Sequence, residues 1–413
     1  MNNPKLRFKR EDSTDYPEWK KTKIGKLTKT FSASRVHREE WQTEGVPFWR
    51  SSDVMAFHQH KENAMGKAFI TNELYEELSA KSGKMMKDDI LITGGGSIGV
   101  PYLIPNNEPL YVKDADLLCI QKSDSHYPKF LYQFFWSPSF RNYLSVISHK
   151  GTIAHYTITQ INETPIMMPC LEEQQKIADF LSTVDEVIAQ SEAEVQNLEQ
   201  QKKAAMQKIF SQEVRFKCED GTDYPEWNEK RMGEVCHIFA GGTPSTSVKE
   251  YWENGNIIWI PSGCVQNCVL SDESIGKKIT KSALEHSSTK MIAPNTTLLA
   301  MTGATCGKVA FLTFAACANQ SVMAFETSSE SSKFIFYLFE YNYDYITSFK
   351  AGGAQSGINK DSCSNLIFEF PYIEEQQKIA GFLSAYDEAI SYSKQELDKW
   401  KELKKGLLQQ MFV

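Results

Sequence analysis

The chain is written twice, and this duplication limits what it can fold into more than any other feature. RFKREDSTDYPEW (7–19) returns as RFKCEDGTDYPEW (215–227), with 11 of 13 positions identical at an offset of 208. LEEQQKIADFLSTVDEVI (171–188) returns as IEEQQKIAGFLSAYDEAI (373–390), with 13 of 18 identical at an offset of 202. The stretches between these blocks, each about 150 residues, match poorly. A repeat this long means duplicated domains, not a short-period solenoid. Two near-constant segments therefore alternate with two variable ones.

Weaker echoes survive in the variable parts. VPFWRSSDV (46–54) aligns with IIWIPSGCV (257–265), DILITGGGSIG (89–99) with TLLAMTGATCG (297–307), FLYQFFW (130–136) with FIFYLFE (334–340), and KGTIAHYTI (150–158) with GGAQSGINK (352–360). Two domains of one fold with different side chains suit two modules doing one job on two targets.

Residues 171–212 read as one helix. Its apolar seam alternates four and three along Ile177, Leu181, Val184, Ile188, Val195, Leu198, Ala205 and Ile209, with Ser191 and Lys202 between. The second copy gives Ile379, Leu383, Tyr386, Ile390, Ser393, Leu397, Trp400, Lys404, Leu407 and Met411. Such heptad spacing predicts a coiled coil. Acidic residues open both helices and lysines lie toward their ends, as the helix dipole favours. The simplest partner for each seam is the other helix, antiparallel to it under a pseudo-twofold; the alternative is that each helix packs on its own domain. A seam of 33 residues is about 50 Å long at 1.5 Å per residue. That is on the order of 14 base pairs, so the rods could space two DNA contacts.

The fold expected is α+β: two similar mixed α/β domains (1–168 and 213–370) separated by two long helices (169–212 and 371–413) forming an antiparallel coiled coil. The runs 90–93, 111–120 and 297–301 read as strands, and 128–147 and 332–349 as helices. The stripes Phe130, Phe134, Phe135 and Phe334, Tyr337, Phe339 read as core.

Charge does not advertise the partner. The net charge is −7. Residues 1–150 carry 22 basic against 18 acidic side chains, while 213–370 carry 13 against 18. Binding DNA would need basic side chains clustered in space, or charge supplied by a partner. Nine scattered cysteines without a CxxC pair read as reduced thiols in a cytoplasmic protein, not a metal site. No run of about 18 apolar residues predicts a membrane span.

No catalytic chemistry emerges. GGGSIG (94–99) fits a dinucleotide fingerprint, yet its counterpart has Thr302, Ala304 and Gly307. GATCGKV (303–309) has three spacer residues where a phosphate loop has four. Both read better as glycine-rich turns after a strand, where backbone can approach backbone or phosphate. A methyltransferase pocket and its Asn/Asp-Pro-Pro-aromatic motif are not visible. Neither a catalytic nor a metal-ligating set is expected.

Two variable domains, each followed by a helix entered through MMPCLEEQQKIADFLSTVDEVI and EFPYIEEQQKIAGFLSAYDEAI, resemble the specificity subunit of type I restriction–modification systems. YPEWKKTKIGKL (16–27), YPEWNEKRMGEV (224–235) and GGTPSTSVKEYWENGNIIWIPSG (241–263) add to the likeness; the first domain lacks the Gly-Gly-Thr-Pro start. The resemblance implies two target recognition domains reading a split, asymmetric DNA sequence. It implies helices that set the spacer and dock two adenine-methylating modification subunits, with restriction subunits joining that core. S-adenosylmethionine, ATP and magnesium are expected on the partners and none on this chain.

Direct readout needs forked donors and acceptors in the major groove. Candidates on loops flanking the shared echoes are Arg50, Ser51, Ser52, Lys84, Lys87, Thr93, Ser97, Lys150, Thr152 and His155 in the first domain. In the second they are Ser262, Lys290, Thr302, Thr305, Lys308, Gln355, Ser356, Asn359 and Lys360. Two other classes stay open: a coiled-coil scaffold whose variable domains bind proteins, and a nucleotide-using enzyme resting on the glycine loops.

Overall fold

The computed structural model describes residues 4–59, 61, 64–148, 155–350 and 357–413. Two compact units emerge: residues 1–193 with 394–413, and residues 194–393. The chain passes between them within the two long helices, Leu171–Phe210 and Ile373–Met411. Among the described residues, no helix is long and apolar enough to cross a membrane.

In the first unit, ILIT (90–93) is buried along its whole length and takes the centre of an antiparallel sheet. The order is Thr30–Ser32, Leu117–Ile120, Ile90–Thr93, Pro101–Leu103. A second sheet places Val46–Trp49 between Phe69–Ile70, antiparallel, and Tyr111–Val112, parallel. Residues 111–120, expected as one strand, are two. Ala115 sits at φ 59°, a left-handed conformation that ends one strand and redirects the chain into the next. The second unit repeats the plan with additions. His237–Ala240, Val322–Glu326, Thr296–Ala300 and Val309–Leu312 correspond to the first sheet, extended by Cys268–Leu270. Ile257–Ile260 again lies beside a parallel neighbour, Ala316–Ala318.

The expected helix at 128–147 is also two, Pro128–Trp136 and Pro138–Ser148. Pro138 forces Ser137 into an extended conformation, φ −70° and ψ 151°, which no helix can run through. Its counterpart breaks at Asn342, between Ser332–Tyr341 and Tyr343–Ser348. The aromatic stripes are core, as expected: Phe130, Phe134 and Phe135 pack on Ile90, Ile92, Leu118 and Ile120. Phe334, Tyr337 and Phe339 do the same over Leu299, Val309 and Phe325.

The repeated blocks explain one another. Glu173, wholly buried at the start of the first long helix, accepts from Arg7 Nε at 2.9 Å, Arg7 Nη2 at 2.8 Å and Trp19 Nε1 at 3.1 Å. Glu375 accepts from Arg215 Nη2 at 2.8 Å and Trp227 Nε1 at 3.3 Å. Gln174 takes the Tyr127 N–H and returns its own amide to the Pro169 carbonyl. Gln376 does so with Ser331 and Pro371. The RFK…PEW and EEQQK blocks are two halves of one polar clamp.

Within each unit the start of one long helix pairs antiparallel with the end of the other. In the first, Ile177, Ala178 and Leu181 share a core with Leu408, Met411 and Phe412, and Phe412 lies 5.2 Å from Phe130. Asp185 pairs with Lys404, and Glu192 with Lys401 at 2.7 Å. In the second, Ile379, Ala380 and Leu383 meet Met206 and Ile209, and Lys202 pairs with Asp387 at 2.8 Å. Val184, Val195, Ile390 and Leu397 are buried, while Ile188, Leu198, Tyr386 and Trp400 are half-buried. Each seam therefore serves two purposes: its first turns roof their own domain and also receive the other helix.

Candidate nucleic-acid interface

Four chain segments converge in the first unit. The strand Val46–Trp49 leads into the helix Ser51–His58, and Ser51 Oγ donates to the Asp116 carbonyl at 2.8 Å. Lys113 follows the parallel strand Tyr111–Val112, and its N–H donates to the Trp49 carbonyl at 2.8 Å. The glycine turn 94–99 joins through Gly94 N to Asp116 O, 2.7 Å, and Tyr156 N to Gly94 O, 2.8 Å. The last contact brings the exposed His155 alongside.

The second unit assembles the equivalent four. Asn319 N–H donates to the Ile260 carbonyl at 3.0 Å, as Lys113 does to Trp49. The Asn319 amide also reaches Ser262 Oγ at 3.4 Å, and Thr305 Oγ1 donates to the Ser262 carbonyl at 3.1 Å. Ile358 N–H, the counterpart of Tyr156, donates to the Met301 carbonyl at 3.0 Å. The last glycine of each turn has left-handed φ, Gly99 at 74° and Gly307 at 89°. A Cβ there would stand 2.5 Å from Leu144 Cδ2 or 2.2 Å from Thr347 Cγ2. These glycines let the turn lie against the helix beneath it, while Gly96 and Gly303 have open space around them.

The structure gathers Ser51, Ser52, Ser97 and His155 around the first cluster, and Ser262, Thr302, Thr305 and Lys308 around the second. Arg50 caps the same helix, its guanidinium 5.6 Å from the Trp41 ring and 3.8 Å from the buried Asp53. Thr93 is fully buried, its hydroxyl donating to Ser97 O and accepting from Val100 N, so it shapes the turn from within. Lys84 lies outside the cluster, paired with Glu76 at 2.7 Å. Lys87 is exposed beside Asn107. Lys290 extends over Phe239 at 5.6 Å. Asn359 caps the short helix Lys360–Ser364, leaving Lys360 exposed. Lys150, Thr152, Gln355 and Ser356 lie outside the described residues.

Sequence reasoning missed Lys113, Asp116 and Asn319. Lys113 and Asp116, 2.9 Å apart, sat inside a run read as one strand. The signal available was the polar KDAD interruption, which a continuous buried strand would not tolerate.

A family model for the type I restriction modification DNA specificity domain matches the chain twice, over residues 16–200 and 224–402. The chain belongs to this family. A type I restriction enzyme specificity subunit of Methanocaldococcus jannaschii is 28% identical over 209 residues; the match spans 49% of this chain and about half, 48%, of that relative. An Escherichia coli specificity subunit is 24% identical over 336 residues, 78% of each chain. Among solved structures, a type I S subunit from M. genitalium superposes with a TM-score of 0.63 at 15% identity, covering all of this chain and 99% of that one. A chain from a study of type I complex assembly and conformational transition gives 0.57 at 17% identity, covering 95% and 97%. These structures share the expected fold: repeated mixed domains and long helices. The family is one of specificity domains and non-catalytic, so the expected division between reading and reacting stands on that membership.

Proposed function

We propose that this chain is the DNA-reading subunit of a type I restriction–modification enzyme, in which each four-segment cluster reads one half of a bipartite, asymmetric target. One observation carries the reading. Equivalent backbone positions are built twice with different side chains: Lys113 against Asn319, Ser52 against Gly263, Ser97 against Thr305. A constant frame with changed donors and acceptors is what two different half-sites require of one ancestral reader. The long helices set the unread spacer and dock two modification subunits, and restriction subunits join that core. The likeness to a chain studied in type I complex assembly supports these partners. S-adenosylmethionine, ATP and magnesium belong on the partner subunits, and the complex works in the cytoplasm.

Single-molecule methylome sequencing tests the reading. A host expressing this chain with its modification subunits should gain adenine methylation at one split motif, and lose it when this chain is omitted. No motif, together with undiminished binding to those subunits, would make the chain a scaffold instead. Substitution at Lys113 should relax one half-site alone, and substitution at Asn319 the other.

A further inference from the structure

We infer that the segment 20–29, along one edge of the first unit, is a sequence-independent contact for the DNA phosphate backbone, through Lys20 and Lys21, which lie on opposite faces of their strand, and through Lys26 and Lys29; this rests on the DNA-reading role proposed above. The strand Lys20–Lys23 pairs with Pro165–Met168, followed by the single helical turn Ile24–Leu27. All four lysines are exposed, and none makes an ion pair among the described residues. Lys23, between them, pairs with Glu163. Exposed Lys122 joins the edge where Gln121 N–H donates to the Lys29 carbonyl at 3.0 Å.

The edge leads to the reading cluster. Lys29 immediately precedes the strand Thr30–Ser32, and Ser32 Oγ at the far end accepts the Ala115 N–H at 3.1 Å, in the 113–116 segment. Three residues of strand separate them, about 10 Å, or on the order of three base pairs of duplex. A backbone contact beside a reader fixes its register on the duplex without carrying sequence information.

The second unit lacks this edge. Asn228, Glu229 and Glu234 stand where Lys20, Lys21 and Lys26 stand. His237 replaces Lys29 and lies 3.6 Å from Glu326; Arg231 lies 3.8 Å from Glu234, and Lys230 2.7 Å from Glu330. The shared frame did not need lysine there, so these lysines are a property of one copy. They also supply positive charge within a short segment, which an acidic chain needs to approach an anionic duplex.

The test uses the full complex with modification subunits, the quadruple variant Lys20→Gln, Lys21→Gln, Lys26→Gln, Lys29→Gln, and the two double variants within it. Binding to cognate and non-cognate duplexes is titrated with salt. Cognate and non-cognate affinity should fall by the same factor, and the methylated motif should stay unchanged. The slope of log K against log salt should become shallower by about 0.9 per lysine lost. Between 50 and 200 mM salt, the quadruple variant should then lose on the order of 100-fold less affinity than the parent. An unchanged slope overturns the inference, as does loss of modification subunits from the variant, which would assign the lysines to a protein partner. A parent complex that binds no duplex would instead sink the DNA-reading role itself.

Discussion

Glu173 is fully buried, and among the described residues the cation paired with it is Arg7, at 2.8 Å. Removing Arg7 leaves a carboxylate in the core without its paired cation, still accepting from the Trp19 indole N–H. Arg7→Ala should therefore destabilise the first unit by about 3 kcal/mol, measured by urea unfolding, and Arg215→Ala the second by a similar amount. A loss below about 0.5 kcal/mol, the level of an exposed pair, would contradict the clamp. His126 is a second buried group, its Nδ1 2.9 Å from Ser123 Oγ, and burial pushes its pKa down to about 4. The unfolded chain, with an ordinary value near 6.5, takes up the proton first as pH falls. The stability this neutral ring contributes is present above about pH 6.5 and is lost between there and about pH 4. Parent and His126→Asn unfolding midpoints should diverge least in slope above pH 7, with the parent falling more steeply between pH 6.5 and 4. Parallel curves across that window would refute the assignment.

Among elements, the two helix pairings use equivalent residues in unequal company. Lys202 faces Glu340 at 2.9 Å and Asp387 at 2.8 Å, with its side chain only 10% exposed. Burial opposes its charge, yet the two carboxylates more than offset that and hold its pKa above the ordinary lysine value. Lys404 has Asp185, but Trp136 stands where Glu340 stands in the other copy. Lys202→Met leaves two carboxylates facing each other and should cost about 3 kcal/mol, whereas Lys404→Met should cost about 1 kcal/mol. Equal losses, read from separate unfolding transitions, would show that the third group carries no weight.

For the molecule as a whole, the repeat closes on itself. Val214 N–H donates to the Lys208 carbonyl at 3.1 Å, where the first long helix runs directly into the second copy. The same contact recurs without a covalent link: Leu6 N–H donates to the Gln410 carbonyl at 3.0 Å. A permutant joining Val413 to Met1 by a short linker and opening between Gln212 and Glu213 should fold and direct methylation to the parent motif. A permutant that purifies folded but methylates a different motif would show that chain order itself matters.

Much of this was legible without coordinates. A helix seam shows its period in the sequence because burial recurs every three or four residues, so Ile177 through Ile209 could be read directly. The duplication likewise gave the alternation of domains and helices. Tertiary structure decided which residues share a place. Ser51, Lys113, Gly94 and Tyr156 meet only because one parallel and one antiparallel strand pair bring distant segments together, and no local pattern encodes that meeting. It also decided that Thr93 faces inward, that Arg7 holds Glu173 from 166 residues away, and that Phe412 completes the core around Phe130. Local periodicity records which face of an element is buried; what it is buried against depends on long-range packing.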